Sequence, residues 1–287
     1  MRAEALFRRH HELVSGSQTG SHPPPDFDLS ALAPIFRRIE ELIRVSEVRP
    51  NDPAPGSAFA GDVRWSPDYN GAYLAQLSFS VATDHLHALH TALVTGKTIH
   101  TYAPFTLLRG TLDNAATGIW LLMPSKRSER VLRALRVGGQ SIVEVRAIHD
   151  ITGQLPTSGR TPDQQLQALK SLAASRGLDP DLVGGRLGTA SIIRAASNDA
   201  ALSGSDLELL LWRVCSGLNH GRSWATLAAL ERDVVEKTGN ALMIRLTAPS
   251  VPLLATAEVA THMTERLYEL LELRRTDHLR HLGVPGR

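Results

Sequence analysis

One apolar stretch, residues 207–230 (LELLLWRVCSGLNHGRSWATLAAL), contains several polar groups that can do chemistry. Arg213 and His220 are seven residues apart. On a helix they would leave from nearly the same face, separated by about 10 Å of rise. A guanidinium can hold a phosphate while an imidazole transfers protons near neutral pH. The spacing therefore indicates either a catalytic Arg/His pair, with Asn219 as an added polar group, or a helix–helix contact that ends in a buried, hydrogen-bonded histidine.

Two glycines interrupt this stretch on either side of the histidine. Gly217 and Gly221 each cost up to about 1 kcal/mol in a helix interior relative to alanine. Their presence predicts the close approach of another helix or of a substrate. Cys215 would lie about 140° around the helix from His220, so we do not expect the two side chains to meet.

The segment Arg213-Val-Cys-Ser-Gly-Leu-Asn219-His220, an arginine and a histidine separated by six residues, resembles the signature of the HEPN superfamily. The resemblance implies a helical bundle that forms a homodimer, in which two Arg/His sets face each other. It also implies a metal-independent endoribonuclease without a cofactor, acting on single-stranded RNA in a toxin or phage-defence role. Its partners would be RNA and a cognate antitoxin protein. In this interpretation Arg213, His220 and Asn219 are catalytic.

A second segment, residues 108–116 (LRGTLDNAA), resembles the Arg-x-x-x-Glu/Asp helix of HEPN-related bacterial proteins. Arg109 and Asp113 are four residues apart in a helix that is apolar nearly all round, so each charge needs a partner. They form either an i,i+4 ion pair that stabilises the core or a pair that orients the Arg213/His220 site. Together with Arg222 and Arg130 they are the candidate substrate-binding residues.

Basic residues also open the predicted helix 124–150. Steps of three residues make them spiral around the helix, so they indicate a solvated basic face or a phosphate-binding patch. These residues are Lys126, Arg127, Arg130, Arg133 and Arg136.

Histidines concentrate on the predicted helix before it. Asp84, His87 and His90 follow each other in steps of three, which drift around a helix rather than converge. No matching carboxylate-plus-histidine motif occurs on another helix. We therefore expect solvated or packing histidines and no metal ligands.

The composition favours helices. Hydrophobic residues make up 43% of the 287 residues, but aromatic residues only 5%. Apolar periodicity and capping residues predict an all-α helical bundle of seven to nine helices, with one small β-hairpin near the C-terminus around residues 234–246. Residues 29–287 should form a single α-helical domain. Residues 1–28, which contain three consecutive prolines, should form a mobile N-terminal arm.

The pattern also places the elements. Residues 49–67, rich in proline and glycine, should form a long loop. Helices are predicted at about 30–48, 68–95, 100–123, 124–150, 162–176, 189–198, within 207–230 and at 252–281.

The net charge and the number of cysteines limit the possible compartments and partners. The single cysteine excludes an intramolecular disulfide, which favours a cytoplasmic protein. We predict neither a signal peptide nor a membrane-spanning helix, hence no membrane partner. The net charge of +2 is too small to indicate nucleic-acid binding by itself.

Two alternatives to the ribonuclease remain. One is a non-catalytic helical binding or scaffold protein, favoured by the modest charge and by Val214, where the motif often has a polar residue. The other is a small-molecule enzyme or binding protein that uses the bundle core. It predicts a pocket lined by Trp120, Arg109 and His87.

Overall fold

The computed structural model describes residues 17–19, 29–48, 50–153, 159–199, 202, 205–238 and 241–276. Over these residues the chain is mostly helical, which confirms the predicted class, and contains ten α-helices rather than seven to nine. They are α1 (Ala33–Ser46), α2 (Ala58–Trp65), α3 (Gly71–His90), α4 (Ala103–Leu122), α5 (Arg127–Thr152), α6 (Pro162–Ser175), α7 (Thr189–Ser197), α8 (Leu207–Asn219), α9 (Ser223–Ala229) and α10 (Ser250–Arg275). Short 3₁₀ turns occur at Leu29–Leu32 and Pro180–Leu182, and a π-helical turn, Thr91–Thr95, follows α3.

Helix α2 lies where a long loop was predicted, and that prediction is wrong. Ser57 caps the helix, because its hydroxyl accepts a hydrogen bond from the Ala60 N–H at 3.2 Å. Phe59 and Asp62 are buried in the first two turns. Eight residues are too few for helical periodicity to stand out among the neighbouring prolines and glycines.

A second extra helix results from a break at Gly221. This residue has φ +60°, a left-handed conformation that favours glycine. The Gly221 N–H donates to Leu218 O at 3.1 Å and the Arg222 N–H to Gly217 O at 2.8 Å. Those two bonds define a Schellman motif, so α8 ends with His220 at its C-cap position and α9 begins three residues later.

The predicted hairpin is confirmed. Strands β2 (Glu231–Thr238) and β3 (Ala241–Thr247) pair antiparallel, with an irregularity between Val234 and Glu236. A third strand, β1 (Ser17–Thr19), pairs parallel to β3 and lies within the predicted N-terminal arm. The rest of that arm, residues 1–16 and 20–28, lies outside the described residues.

The chain divides into two compact units, each assembled from three stretches. The first unit comprises residues 1–45, 83–112 and 210–262, and the second comprises residues 46–82, 113–209 and 263–287. The assignment of residues 29–287 to a single domain remains a prediction.

The first unit contains the sheet and most of α1, α8 and α9. Helix α1 buries Ile35, Phe36, Ile39 and Leu42, an apolar stripe at helical spacing. The Thr101 hydroxyl donates to Leu246 O at 3.1 Å in a buried position, which joins the turn before α4 to β3.

The second unit is organised around α5. Val131, Leu135 and Ile142 of α5 pack with Leu169 and Ala173 of α6 in a buried apolar cluster. Helix α6 begins with a capping box, in which Thr161 and Gln164 exchange hydrogen bonds between side chain and backbone. Within the described ranges, none of the helices combines the length and the apolar composition that a membrane span requires.

Candidate functional site

Helix α8 has one buried and one exposed face. Leu209, Cys215 and Leu218 are buried, whereas Arg213 and His220 are exposed. Seven residues of helix return to within about 20° of the same direction, so both polar side chains leave from one face. The prediction of a shared face is consistent with this geometry. The alternative of a buried histidine is wrong, because α8 ends at His220 and leaves its side chain in solvent.

The two glycines have different roles. A Cβ placed on Gly217 would lie 2.5 Å from the Ala225 Cβ and 2.7 Å from Trp224 Cζ2, so α9 packs directly on this position. A Cβ on Gly221 would meet nothing within 4 Å. Gly217 therefore permits the close helix approach that was predicted, while Gly221 ends the helix.

Asn219 and Arg222 complete the group at this end of α8. Asn219 is half-buried, and Arg222 is exposed at the residue before α9. Among the residues that the structure describes, none forms a side-chain hydrogen bond or ion pair with Arg213, Asn219, His220 or Arg222. As far as the described residues go, these four polar side chains are available to a ligand. We call this group, Arg213, Asn219, His220 and Arg222, the α8 site.

Arg109 lies beside Trp212, the residue before Arg213 of the α8 site. Its guanidinium carbon is 5.9 Å from the centroid of the Trp212 ring, within cation–π distance. The neighbouring Gly110 leaves room for the His85 ring, since a Cβ there would lie 2.5 Å from His85 Nε2. Arg109 therefore contacts the residue directly before Arg213, and its role in substrate binding stays a prediction.

Asp113 and Arg130 belong to the second unit. Asp113 is half-buried on α4. Arg130 is buried, and its Nε and Nη2 donate to the two carboxylate oxygens of Asp62 at 2.7 and 2.8 Å. Its Nη1 donates to Pro124 O and Ser125 O at 2.9 and 2.7 Å. Because all three nitrogens are occupied inside the protein, Arg130 has a structural role in this geometry and we leave it out of the α8 site.

Other basic residues of α5 also have partners. Arg133 Nη1 donates to Trp120 O at 2.5 Å, and the guanidinium carbons of Arg133 and Arg136 lie 4.9 and 5.7 Å from the Trp120 ring centroid. Burial lowers the pKa of Arg133, and nearby Arg136 lowers it further, against the opposing effect of Glu129. Arg133 and Arg136 therefore pack against the buried Trp120 rather than form a fully solvated basic face.

The pocket of Trp120, Arg109 and His87 that the small-molecule alternative predicts stays a prediction. Trp120 is buried beside Arg133 and Arg136, while His87 is exposed on α3. Arg109 contacts Trp212.

The histidines of α3 have separate surroundings. His90 lies 3.2 Å from Glu40 Oε1 and packs edge-on against Phe36, with ring centroids 5.4 Å apart. His85 packs on Gly110. In the part of the chain that the structure describes, no three His, Cys, Asp or Glu side chains group closely enough to hold a metal ion.

One residue beside the α8 site, Trp224, could not be singled out from the sequence. Trp224 lies on Gly217, yet its side chain remains 51% exposed. A Trp seven residues after a helical glycine, beyond a turn, carries no periodic signal that would place it there.

Comparisons with protein-family models, with curated proteins and with solved structures find no match to this chain.

Proposed function

We propose that the protein is a HEPN-like endoribonuclease that cleaves single-stranded RNA at the α8 site without a metal ion. The observation that carries the proposal is the exposure of Arg213 and His220 on one face of α8, with no partner for either side chain among the described residues. A guanidinium can stabilise the developing charge on a phosphate and an imidazole can transfer the proton of the 2′-hydroxyl, so this pair can support phosphodiester cleavage in RNA.

The reaction uses the ribose 2′-hydroxyl of the substrate as an internal nucleophile. His220 accepts the proton from this hydroxyl as its oxygen attacks the phosphorus. The bond from phosphorus to the 5′-oxygen breaks, and that oxygen leaves with a proton from solvent. Arg213 stabilises the negative charge that develops on the phosphate. Asn219 assists by hydrogen bonding, and Arg222 binds a neighbouring phosphate.

A homodimer fits this chemistry better than a single chain. Arg213 and His220 are about 10 Å apart along the axis of α8, which separates the phosphate-binding and proton-transfer groups of one chain. A second copy that brings its own α8 site opposite the first would place an arginine near each histidine. Sedimentation velocity of the purified protein tests this arrangement.

The deciding experiment is RNA cleavage by purified protein in the presence of EDTA. We expect wild type to release products with 2′,3′-cyclic phosphate ends, and His220→Ala to lose at least about 100-fold in rate, as removal of a general base does. Replacing the ribose at the cleaved position by 2′-deoxyribose should abolish cleavage. Activity that EDTA removes would contradict the proposal.

Matched substitutions separate a catalytic effect from a general one. His87→Ala replaces another exposed histidine, on α3, and should leave cleavage unchanged. Arg186→Gln replaces an exposed arginine in the second unit and is the control for Arg213→Gln. Circular dichroism and thermal unfolding should show that all four variants fold.

The alternative function is a non-catalytic helical binding protein. It is favoured by Leu210, which is 57% exposed on the same side of α8 as Arg213. Under this alternative His220→Ala changes stability or self-association, and neither protein cleaves RNA.

A further inference from the structure

An exposed indole lies between the two principal residues of the α8 site. Gly217 follows Arg213 by four residues and precedes His220 by three, so it lies about 6 and 4.5 Å from them along the helix axis and on the same side. The Cε2 and Cζ2 atoms of Trp224 rest on this glycine. The ring of Trp224 therefore covers the helix surface at Gly217, between the positions of Arg213 and His220 along the helix.

Trp224 is only partly buried by its packing on Gly217. Trp224 is 51% exposed, whereas Ala225 and Ala229 of the same helix are buried. Tryptophan has the largest apolar side chain, and burying apolar surface stabilises a fold. Half of this surface stays in water, so packing alone does not explain why such a large residue occurs here. An aromatic ring exposed beside cationic groups is the arrangement that proteins use to stack unpaired bases.

We propose that Trp224 is a stacking platform for one nucleobase of the RNA, next to the phosphate that Arg213 binds. This inference rests on the proposed function for its ligand and adds a binding subsite to it. Gly217 is part of the subsite, because any side chain there would push the indole away from the helix. The subsite selects single-stranded RNA, since a base in a duplex has both faces covered by its neighbours.

Charge favours a nucleobase over an apolar peptide as the occupant. Arg213, His220 and Arg222 are exposed around Trp224, and they would attract the phosphates attached to a base. An apolar partner would have to bury these polar groups without hydrogen-bond partners, which is unfavourable.

Binding of an uncleavable RNA tests the platform independently of catalysis. The probes are a fluorescent 2′-O-methyl oligonucleotide of six uridines and the same backbone with abasic residues, which keeps the phosphates and removes the bases. We expect wild type to bind the uridine probe about tenfold more tightly than the abasic probe, the size of one base stacked on an aromatic residue. Trp224→Ala should remove this difference while abasic binding stays the same, and Trp224→Phe should retain part of it.

Leu210→Ala is the matched control, because it also removes an exposed apolar side chain from this side of α8. It should leave the difference in affinity between the two probes intact.

If Trp224→Ala weakens binding of both probes equally, or of neither, the platform is refuted. If wild type cleaves RNA but Trp224→Ala gives such a result, the proposed ribonuclease function is supported and the platform is refuted. A base-dependent affinity that requires Trp224, in a protein that does not cleave RNA, would support the platform and refute the ribonuclease. If wild type binds neither probe but captures an apolar peptide through Trp224, the platform is refuted.

Discussion

Replacing Asp62 should lower the stability of the second unit far more than a surface substitution does. The Asp62 and Arg130 side chains are only 7% and 5% exposed, and they share two hydrogen bonds of 2.7 and 2.8 Å. Arg127 Nε is a second cation, 3.7 Å from Asp62 Oδ1. Asp62→Asn removes the negative charge and leaves a buried guanidinium without its counter-ion.

The size of the effect follows from burial. Removing one partner of a buried ion pair costs about 3–5 kcal/mol, because the remaining charge stays out of water. Arg130 keeps its bonds to Pro124 O and Ser125 O, so we expect the lower end, about 3 kcal/mol. For a domain of roughly 150–250 residues, the size range of the second unit, that lowers Tm by about 6–12 °C.

Thermal unfolding followed by circular dichroism measures the change. Arg130→Gln should lower Tm in the same way, and the double variant should lose less than the sum of the two, because the sites are in contact. Arg44→Gln removes an exposed ion pair, to Glu41, and should produce no resolvable shift in Tm.

Two results would refute this reasoning. One is an Asp62→Asn variant whose Tm stays within about 2 °C of wild type. The other is an Arg130→Gln variant of normal stability that binds RNA more weakly, which would return Arg130 to the substrate-binding residues.

Three further substitutions test the fold around the site and the second unit. Gly217→Ala gains about 1 kcal/mol of helix propensity but overlaps Ala225, so urea unfolding should show a net loss of about 1 kcal/mol. Gly221→Ala meets no neighbour, yet its φ of +60° should cost about 1–2 kcal/mol in the same assay; a gain in stability for either variant would contradict the assigned role. Burial raises the pKa of Tyr69, and the charge of Asp68 raises it further. The unfolded chain therefore loses this proton first, and stability should fall as the pH rises past about 10. Tyr69→Phe should reduce that fall in urea midpoints measured between pH 9 and 11, and an unchanged slope would exclude Tyr69 as its source.

Charged groups at helix ends show how the second unit holds its elements together. Arg274 Nε donates to Leu122 O at 3.0 Å, and its Nη2 donates to Met123 O and Pro124 O at 3.2 and 3.0 Å. Carbonyls at the end of a helix lack partners within the helix and otherwise need water. Pro124 O also accepts from Arg130 Nη1. Burial lowers the pKa of Arg274, and nearby Arg130 lowers it further. The C-terminal end of α4 is thus closed by side chains far away in the sequence.

The sequence by itself determined most of the helices. Helix α6 begins at Pro162, where Thr161 and Gln164 form the capping box, and it ends just before Gly177. The hairpin of β2 and β3 was predictable from alternating apolar residues. These signals are readable because they depend on residues within a few positions of each other. Helix α2 could not be predicted from such signals, because it is short and is held by the burial of Phe59 and Asp62 rather than by a long periodic pattern.

Within the candidate site, the sequence proposed Arg213 and His220 and predicted that they share one face of a helix. It left open whether His220 is buried, and Gly221 decides this by ending α8 there. The positions of Trp224 on Gly217 and of Arg109 beside Trp212 came only from tertiary structure.

The pairing of Arg130 with Asp62 illustrates the physical reason. The two residues are 68 positions apart, and an arginine in a basic run looks the same in sequence whether it faces solvent or a buried carboxylate. A local pattern specifies which side of a helix is apolar, because that depends on spacing along one helix. Which group meets a given charge depends on the packing of several helices, and a buried charge is stable only where that packing supplies its partner.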